Sequence, residues 1–231
     1  MTHRQHPYSP NSFFHNMMTS EPAGPILAID VQYVDTPEGT TGYASGVLFD
    51  TFASATATAV YTVICPDIAP YEPGSFFKRE LPPVLAVISA CPTPPAVVIV
   101  DGFVDVKPGK PGLGRHLFER RGGIVIGVAK NPFRDGRREK DGEERARDGE
   151  RGRSASEERI SQPTQDDDQN ELQSGAILRG SSSRALYVTS AGIDQRLAER
   201  LVAGMHGRNR IPTMLKLVDA EARRAAKAGS G

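Results

Sequence analysis

Cysteine is scarce, neither sign of charge is in excess, and no long apolar run occurs; each shortage excludes a class of protein. Cys65 and Cys91 are the only cysteines, too few for a disulfide framework, and each precedes a proline at the expected end of a strand or helix. Two free thiols in a reducing cytoplasm are the expectation. Lys plus Arg total 28 and Asp plus Glu total 28, so no global positive field exists to attract a polyanion. Any nucleic-acid site must therefore be a local patch. No segment has the length of a transmembrane helix and the N-terminus lacks the apolar core of a signal peptide, so a cytoplasmic location without membrane contact is expected. The chain has 231 residues at 38% hydrophobic content, enough for one domain with a real core. No internal repeat is visible.

Residues 1–24 mix Pro, His, Asn and Ser without periodicity and read as a mobile tail, in which His3 and His6 are expected to bind nothing. Met17 and Met18 stand close to the start of the core, so translation could begin there. The domain is expected over 25–231. Strands are expected at 26–33, 42–50 and 55–65 as an antiparallel meander, with a turn at 36–40. Pro82 and Pro83 suit the first turn of a helix, which places Glu80 at its N-terminal edge and Val84, Leu85, Val87 and Ile88 within it. A strand at 96–101, a glycine-rich connection, a helix at 112–120 and a strand at 124–129 form a β-α-β unit, which implies parallel pairing.

Residues 134–174 are dense in Arg, Glu and Asp with almost no large apolar residues, and read as a disordered insertion, or as an arm for nucleic acid whose acids cancel most of its field. Two short strands are expected at 175–180 and 185–189. A helix at 194–205 and a basic amphipathic helix at 213–227, burying Met214, Leu217 and Val218, complete the domain.

Three carboxylates stand at the edges of these elements. Asp30 follows Ile26-Leu27-Ala28-Ile29, Asp101 follows Ala96-Val97-Val98-Ile99-Val100, and Glu80 precedes the expected helix. Alone, each also reads as a solvated turn residue. Together, acids at the ends of adjacent strands can share a divalent cation, which hard oxygen ligands suit.

Four segments carry a family resemblance: Ala28-Ile29-Asp30-Val31-Gln32-Tyr33; Pro70-Tyr71-Glu72-Pro73-Gly74 with Phe77-Lys78-Arg79-Glu80; Val100-Asp101-Gly102; and Gly127-Val128-Ala129-Lys130. In this order they resemble endonuclease V, and Gly112-Leu113 and His116 fall at that family's distances from Asp101. The resemblance implies an α/β, ribonuclease H-like mixed sheet, an antiparallel meander plus parallel strands flanked by helices, in agreement with the strand reading. It implies a Mg²⁺-dependent endonuclease, with Mn²⁺ as an alternative cation, that cuts DNA or RNA 3′ to deaminated purine (deoxyinosine or inosine) sites and works as a monomer.

By the same resemblance Asp30, Glu80 and Asp101 hold the metal, and Lys130 binds the scissile phosphate or orients water. Tyr71, with Pro73 behind it, would be a wedge that stacks where a nucleotide is flipped out, while Gly74 and Gly102 would let the backbone approach the base. His116 is expected to pack or to bond outside the ligand set, and Arg208 and Arg210 to touch phosphates or to be solvated. Two positions depart from the family. Lys107 stands for a histidine and could grip a phosphate, and Ile193 replaces the histidine of a Ser-Pro-Gly-His segment, here Ser190-Ala191-Gly192-Ile193. Two competing readings are a nucleic-acid-binding relative with weak or no cleavage and another ribonuclease H-like nuclease such as a junction resolvase; the Tyr71 segment argues against the second.

Overall fold

The computed structural model describes residues 20–70, 76–133 and 175–229. The Tyr71, Pro73 and Gly74 positions and the 134–174 insertion lie outside them, as do 1–19 of the expected tail. Glu21, also within that expected tail, accepts a hydrogen bond from the Phe52 N–H at 2.9 Å.

Alternating and continuous apolar runs produce a seven-stranded mixed sheet in the order β3-β2-β1-β4-β7-β9-β8. Its strands are β1 (Ile26–Thr36), β2 (Gly39–Phe49), β3 (Ala59–Cys65), β4 (Val97–Asp101), β7 (Ile124–Ala129), β8 (Gly175–Ile177) and β9 (Leu186–Ala191). A two-stranded hairpin, β5 (Asp105–Lys107) with β6 (Lys110–Pro111), stands apart from that sheet. The β1-β2-β3 meander is antiparallel, β1-β4 and β4-β7 are parallel, and β9 returns antiparallel to β7. The expected mixed sheet is thus the observed one. Among the described residues four helices flank it: α1 (Phe77–Ala90), α2 (Leu113–Arg121), α3 (Gln195–Ala203) and α4 (Thr213–Gly229).

Period-two alternation divides the core between the two faces of the sheet. On one face Ile26, Ala28, Val97, Ile99, Ile126 and Val128 pack with Val202 of α3 and Met214 and Val218 of α4. On the other, Leu27, Ile29, Val98, Val100 and Val125 pack with Val84 and Val87 of α1 and Leu117 of α2. Central strands buried on both sides explain why 97–100 reads as an unbroken apolar run.

Three expectations are corrected. Helix α1 begins at Phe77, not at the proline pair, so Pro82 and Pro83 lie in its second turn. The Arg79 and Glu80 N–H groups bond Phe76 O at 3.1 and 3.3 Å, which starts the helix one turn before the prolines and leaves Glu80 inside the first turn. The glycine-rich connection after β4 contains the β5-β6 hairpin, whose few residues are too short a pattern to register as strands. Strand β3 starts at Ala59 and not at 55, because Thr58 N–H closes a loop onto Leu48 O at 2.7 Å.

Gly127 is where the fold meets the site. A Cβ there would stand 2.6 Å from Gly102 O, 2.8 Å from Thr189 Oγ1 and 2.8 Å from Val104 N. Thr189 Oγ1 itself accepts from Val104 N at 2.8 Å and so pins the chain just after Asp101 to β9. Gly127→Ala is expected to destabilise the fold by roughly 1 to 3 kcal/mol through overpacking against backbone. Urea denaturation checks this; an unchanged midpoint would show that the 102–104 segment yields freely.

Candidate active site

Sheet register places the acids. The last β1-β4 pair is Ile29 with Val100, so Asp30 and Asp101 stand side by side one step beyond it, on the face covered by α4. Asp101 is in register with Val128 of β7, and Lys130 lies two residues further on the same face. Glu80 reaches the strand ends from α1 on the opposite face, and Asp30, Asp101 and Glu80 line one open cleft with Gln32, Tyr33 and Phe76. A smaller pocket beside it is bounded by Asp30, Asp101, Lys130 and Asp219 over an apolar floor of Val128, Leu186, Ile211, Leu215 and Val218.

The charges are organised around Lys130. Its Nζ lies 2.8 Å from Asp101 Oδ2 and 3.6 Å from Asp219 Oδ1. Partial burial opposes its charge, but the hydrogen bond it donates to Asp101 and the fields of Asp101, Asp219 and Asp30 outweigh this and raise its pKa above the ordinary lysine value. Asp219 Oδ2 also accepts from Arg223 Nε at 2.9 Å, and these cations overcome burial to hold its pKa below the usual carboxylate range.

Glu80 and Asp30 are shifted the opposite way. Burial, reinforced by the negative charges of Asp101 and Asp30, pushes Glu80 up to about 8, and Arg79 only partly offsets this. Burial and the charges of Asp101 and Asp219 also raise Asp30, against a hydrogen bond from Gln32 Nε2 at 3.0 Å. Arg79 lies over the Tyr33 ring, 4.0 Å from its centroid, and its Nε is a buried donor without an acceptor among the described residues.

Asp30, Glu80, Asp101 and Asp219 gather here beside Lys130, Arg79 and Arg223, and the candidate ligands are all carboxylate oxygens, which fit a hard divalent cation. The fit is one of chemistry and charge. Among the described residues no three His, Cys, Asp or Glu side chains converge closely enough to hold an ion as they stand. Asp101 Oδ2 instead faces the Lys130 ammonium, and Asp30 Oδ2 faces the Gln32 amide.

The structure thus brings together Asp30, Glu80, Asp101 and Lys130. Gly102, at φ +130, makes the turn out of β4 with open space where a Cβ would stand. Lys107 lies in β5 and lines neither cleft. His116 stacks on Phe77 at 3.6 Å between ring centroids, the expected packing role. Ile193 packs against the α3-α4 core and lines neither cleft, so this departure fills space rather than leaving a gap beside the acids.

Asp219 was not expected. It is next to buried Val218 and four residues after Leu215, so it continues the inward side of α4 with an acid. That placement was a readable signal, masked by Arg223 four residues on, which makes Asp219 look like half of a solvated helix pair.

A mixed sheet in this strand order, flanked by helices on both faces, is a ribonuclease H-like fold. The family model for endonuclease V matches residues 14–220, and the chain belongs to that family. It is 38% identical over 110 residues to endonuclease V of Streptomyces avermitilis, covering 48% of this chain and 47% of that protein. Endonuclease V of Streptomyces coelicolor is 39% identical over 110 residues, covering 48% of this chain and 46% of that protein. The chain spans about half the length of the curated relatives it matches.

The crystal structure of the Streptomyces avermitilis protein superposes with a TM-score of 0.64 at 24% identity, covering 97% of this chain and 96% of that one. Endonuclease V of Ciona intestinalis, in complex with a 24mer DNA containing an inosine followed by a ribo-adenosine, superposes with a TM-score of 0.66 at 19% identity, covering 89% and 87%. These likenesses concern the fold.

Proposed function

We propose that this protein is a divalent-metal-dependent endonuclease that hydrolyses a phosphodiester 3′ to inosine in DNA or RNA. The observation that carries the reading is the clustering of Asp30, Glu80, Asp101 and Lys130, from four separate sequence segments, at one end of the sheet. Family membership and the inosine-containing DNA bound by the Ciona relative support the choice of substrate.

Asp30, Glu80 and Asp101 would hold Mg²⁺, or Mn²⁺. When bound, the cation supplies Lewis-acid stabilisation of charge on the phosphate and makes water nucleophilic at neutral pH. Lys130 adds a fixed positive charge at the rim, able to meet a phosphate oxygen while Asp101 and Asp219 keep it protonated. Asp219 orients that ammonium from the α4 side. Tyr71 and Pro73, with Gly74 and Gly102 at the base, would form the base-reading wall, since an aromatic face replaces stacking lost when a nucleotide leaves the helix. Lys107 would engage backbone phosphate from the β5-β6 hairpin.

Matched oligonucleotides containing inosine or adenosine, as DNA and as RNA, incubated with and without Mg²⁺, test this reading. Cleavage on the 3′ side of inosine only, and only with the cation, is expected. Equal cutting at adenosine, or undiminished cutting in chelator, would overturn it.

A further inference from the structure

Two arginines are engaged with main-chain carbonyls: Arg210, which the sequence leaves as a phosphate contact or a solvated charge, and Arg179. The Arg210 guanidinium donates through Nη2 to Lys130 O and to Ala185 O, the latter at 2.6 Å, and through Nε to Ala185 O at 3.2 Å. It thereby ties the residue that ends the β7 edge of the site to the residue just before β9. Arg179, only 5% exposed, donates to the carbonyl of Ala203, which ends α3, and to four carbonyls of the α3-α4 connection: Met205, Gly207, Asn209 and Arg210.

A buried guanidinium is costly unless its donors are met, and these carbonyl dipoles meet them. The adjoining turn is equally tight. Gly180 has φ +60, and a Cβ there would stand 2.1 Å from Arg208 O.

We infer that Arg210 is a positioning residue for Lys130. It holds the Lys130 main chain, so that the ammonium meets Asp101 and Asp219, and Arg179 in turn holds the loop that presents Arg210. The logic is mechanical. Lys130 is the first residue after β7, beyond the strand's own ladder, and its side chain is 43% exposed, so neither sheet pairing nor burial fixes its backbone. A planar guanidinium bridging two carbonyls supplies that constraint in a way an ammonium matches poorly. The other end of the lever is fixed by the α4 stripe of Met214 and Val218, which packs into the core just after Arg210.

The role in catalysis rests on the nuclease reading; the effect on Lys130 does not, and the test separates them. Arg210→Gln is compared with wild type, Lys130→Ala and the double variant on inosine-containing DNA with Mg²⁺. The expected result is a fall in kcat of about 10- to 100-fold with KM within about 2-fold, the scale of misplacing a reacting group by an ångström or so. In the Lys130→Ala background Arg210→Gln should cost nothing more, since there is no ammonium left to place. Arg210→Lys should recover part of the loss.

The second readout needs no turnover: reductive methylation of the metal-free proteins, followed by peptide mass spectrometry. Lys130 should react several-fold faster in Arg210→Gln than in wild type, while Lys216 and Lys227 on α4 keep their rates. Losses that multiply in the double variant, or an unchanged Lys130 methylation rate, would overturn the assignment. If wild type cleaves nothing, the nuclease reading fails and methylation alone decides. Should Arg210→Gln unfold, the same comparison is made with Arg210→Lys, where an intermediate Lys130 rate is expected and a wild-type rate overturns it.

Discussion

Asp101→Asn is expected to lower cleavage of inosine-containing DNA by roughly 10³-fold or more, with Asp30→Asn close behind. Each change keeps the side-chain shape and removes a cation-binding charge. A bound metal contributes several kcal/mol to stabilising charge in phosphoryl chemistry, and about 1.4 kcal/mol corresponds to a factor of ten. Asp101 should be the more sensitive because it also anchors Lys130 at 2.8 Å, so one substitution disturbs two groups. Folding should survive, since Asp101 is exposed and Asp30 is bonded by a side chain, Gln32, that water can replace. Substrate affinity should change little. Single-turnover rates with circular dichroism on each purified variant provide the check; retained turnover in either would remove that acid from the site.

Glu80→Gln should have a large effect of another kind, on stability. Glu80 has an ordinary value of 4.5 and is raised to about 8 in the fold, so the native state holds a proton that the unfolded chain has released. Stability is then greatest below about pH 4.5 with respect to this group and declines as pH rises toward about 8, where the buried carboxylate ionises. At and above that pH the penalty is on the order of 5 kcal/mol in metal-free protein, by the free energy attached to each unit of pKa displacement. Gln carries no such penalty. Metal-free Glu80→Gln should therefore be the more stable protein at pH 8, with the advantage shrinking toward pH 5. Asp30 is displaced in the same direction and remains in both proteins, so the difference between their denaturation curves reports Glu80 together with its coupling to Asp30. Parallel pH profiles would show that Glu80 is not strained. Destabilised carboxylates of this sort are expected where function, not folding, dictates the side chain.

Much of this architecture is legible in the residues themselves. The runs 26–29 and 97–100 are too short and too β-branched for helices, and they form the two adjacent central strands that carry Asp30 and Asp101. The α-helices over 195–203 and 213–229 follow from apolar spacing, with Asp194 capping the first by accepting from Leu197 N at 2.9 Å. What escaped were features that depend on tertiary partners. Helix α1 is a local exception: its first bonds run from Arg79 and Glu80 N–H to Phe76 O, a start one turn before Pro82 that the proline rule does not anticipate. Asp219 belongs to the site because α4 crosses β1, and sequence alone pairs it with Arg223. Arg179 and Arg210 resemble surface charges until the carbonyls around them are known. Lys107 shows the reverse case: proximity to Asp101 along the chain does not bring it into the cleft, because the β5-β6 hairpin intervenes.

The central claim is that the acids at the strand ends form a cation site, their clustering in one cleft with Asp30 and Glu80 partly buried being the sign of it. The most direct measurement is thermal unfolding of wild type, Asp30→Asn and Asp101→Asn at neutral pH across a titration of Mg²⁺ or Mn²⁺. A cation that binds only the native state stabilises by about 2.7 kcal/mol at a hundred times its Kd, which for a chain of this length is a rise in Tm of roughly 5 to 10 °C. Wild type should show that rise, and neither variant should follow it. The same rise in all three proteins, or none in wild type up to millimolar cation, would contradict the account.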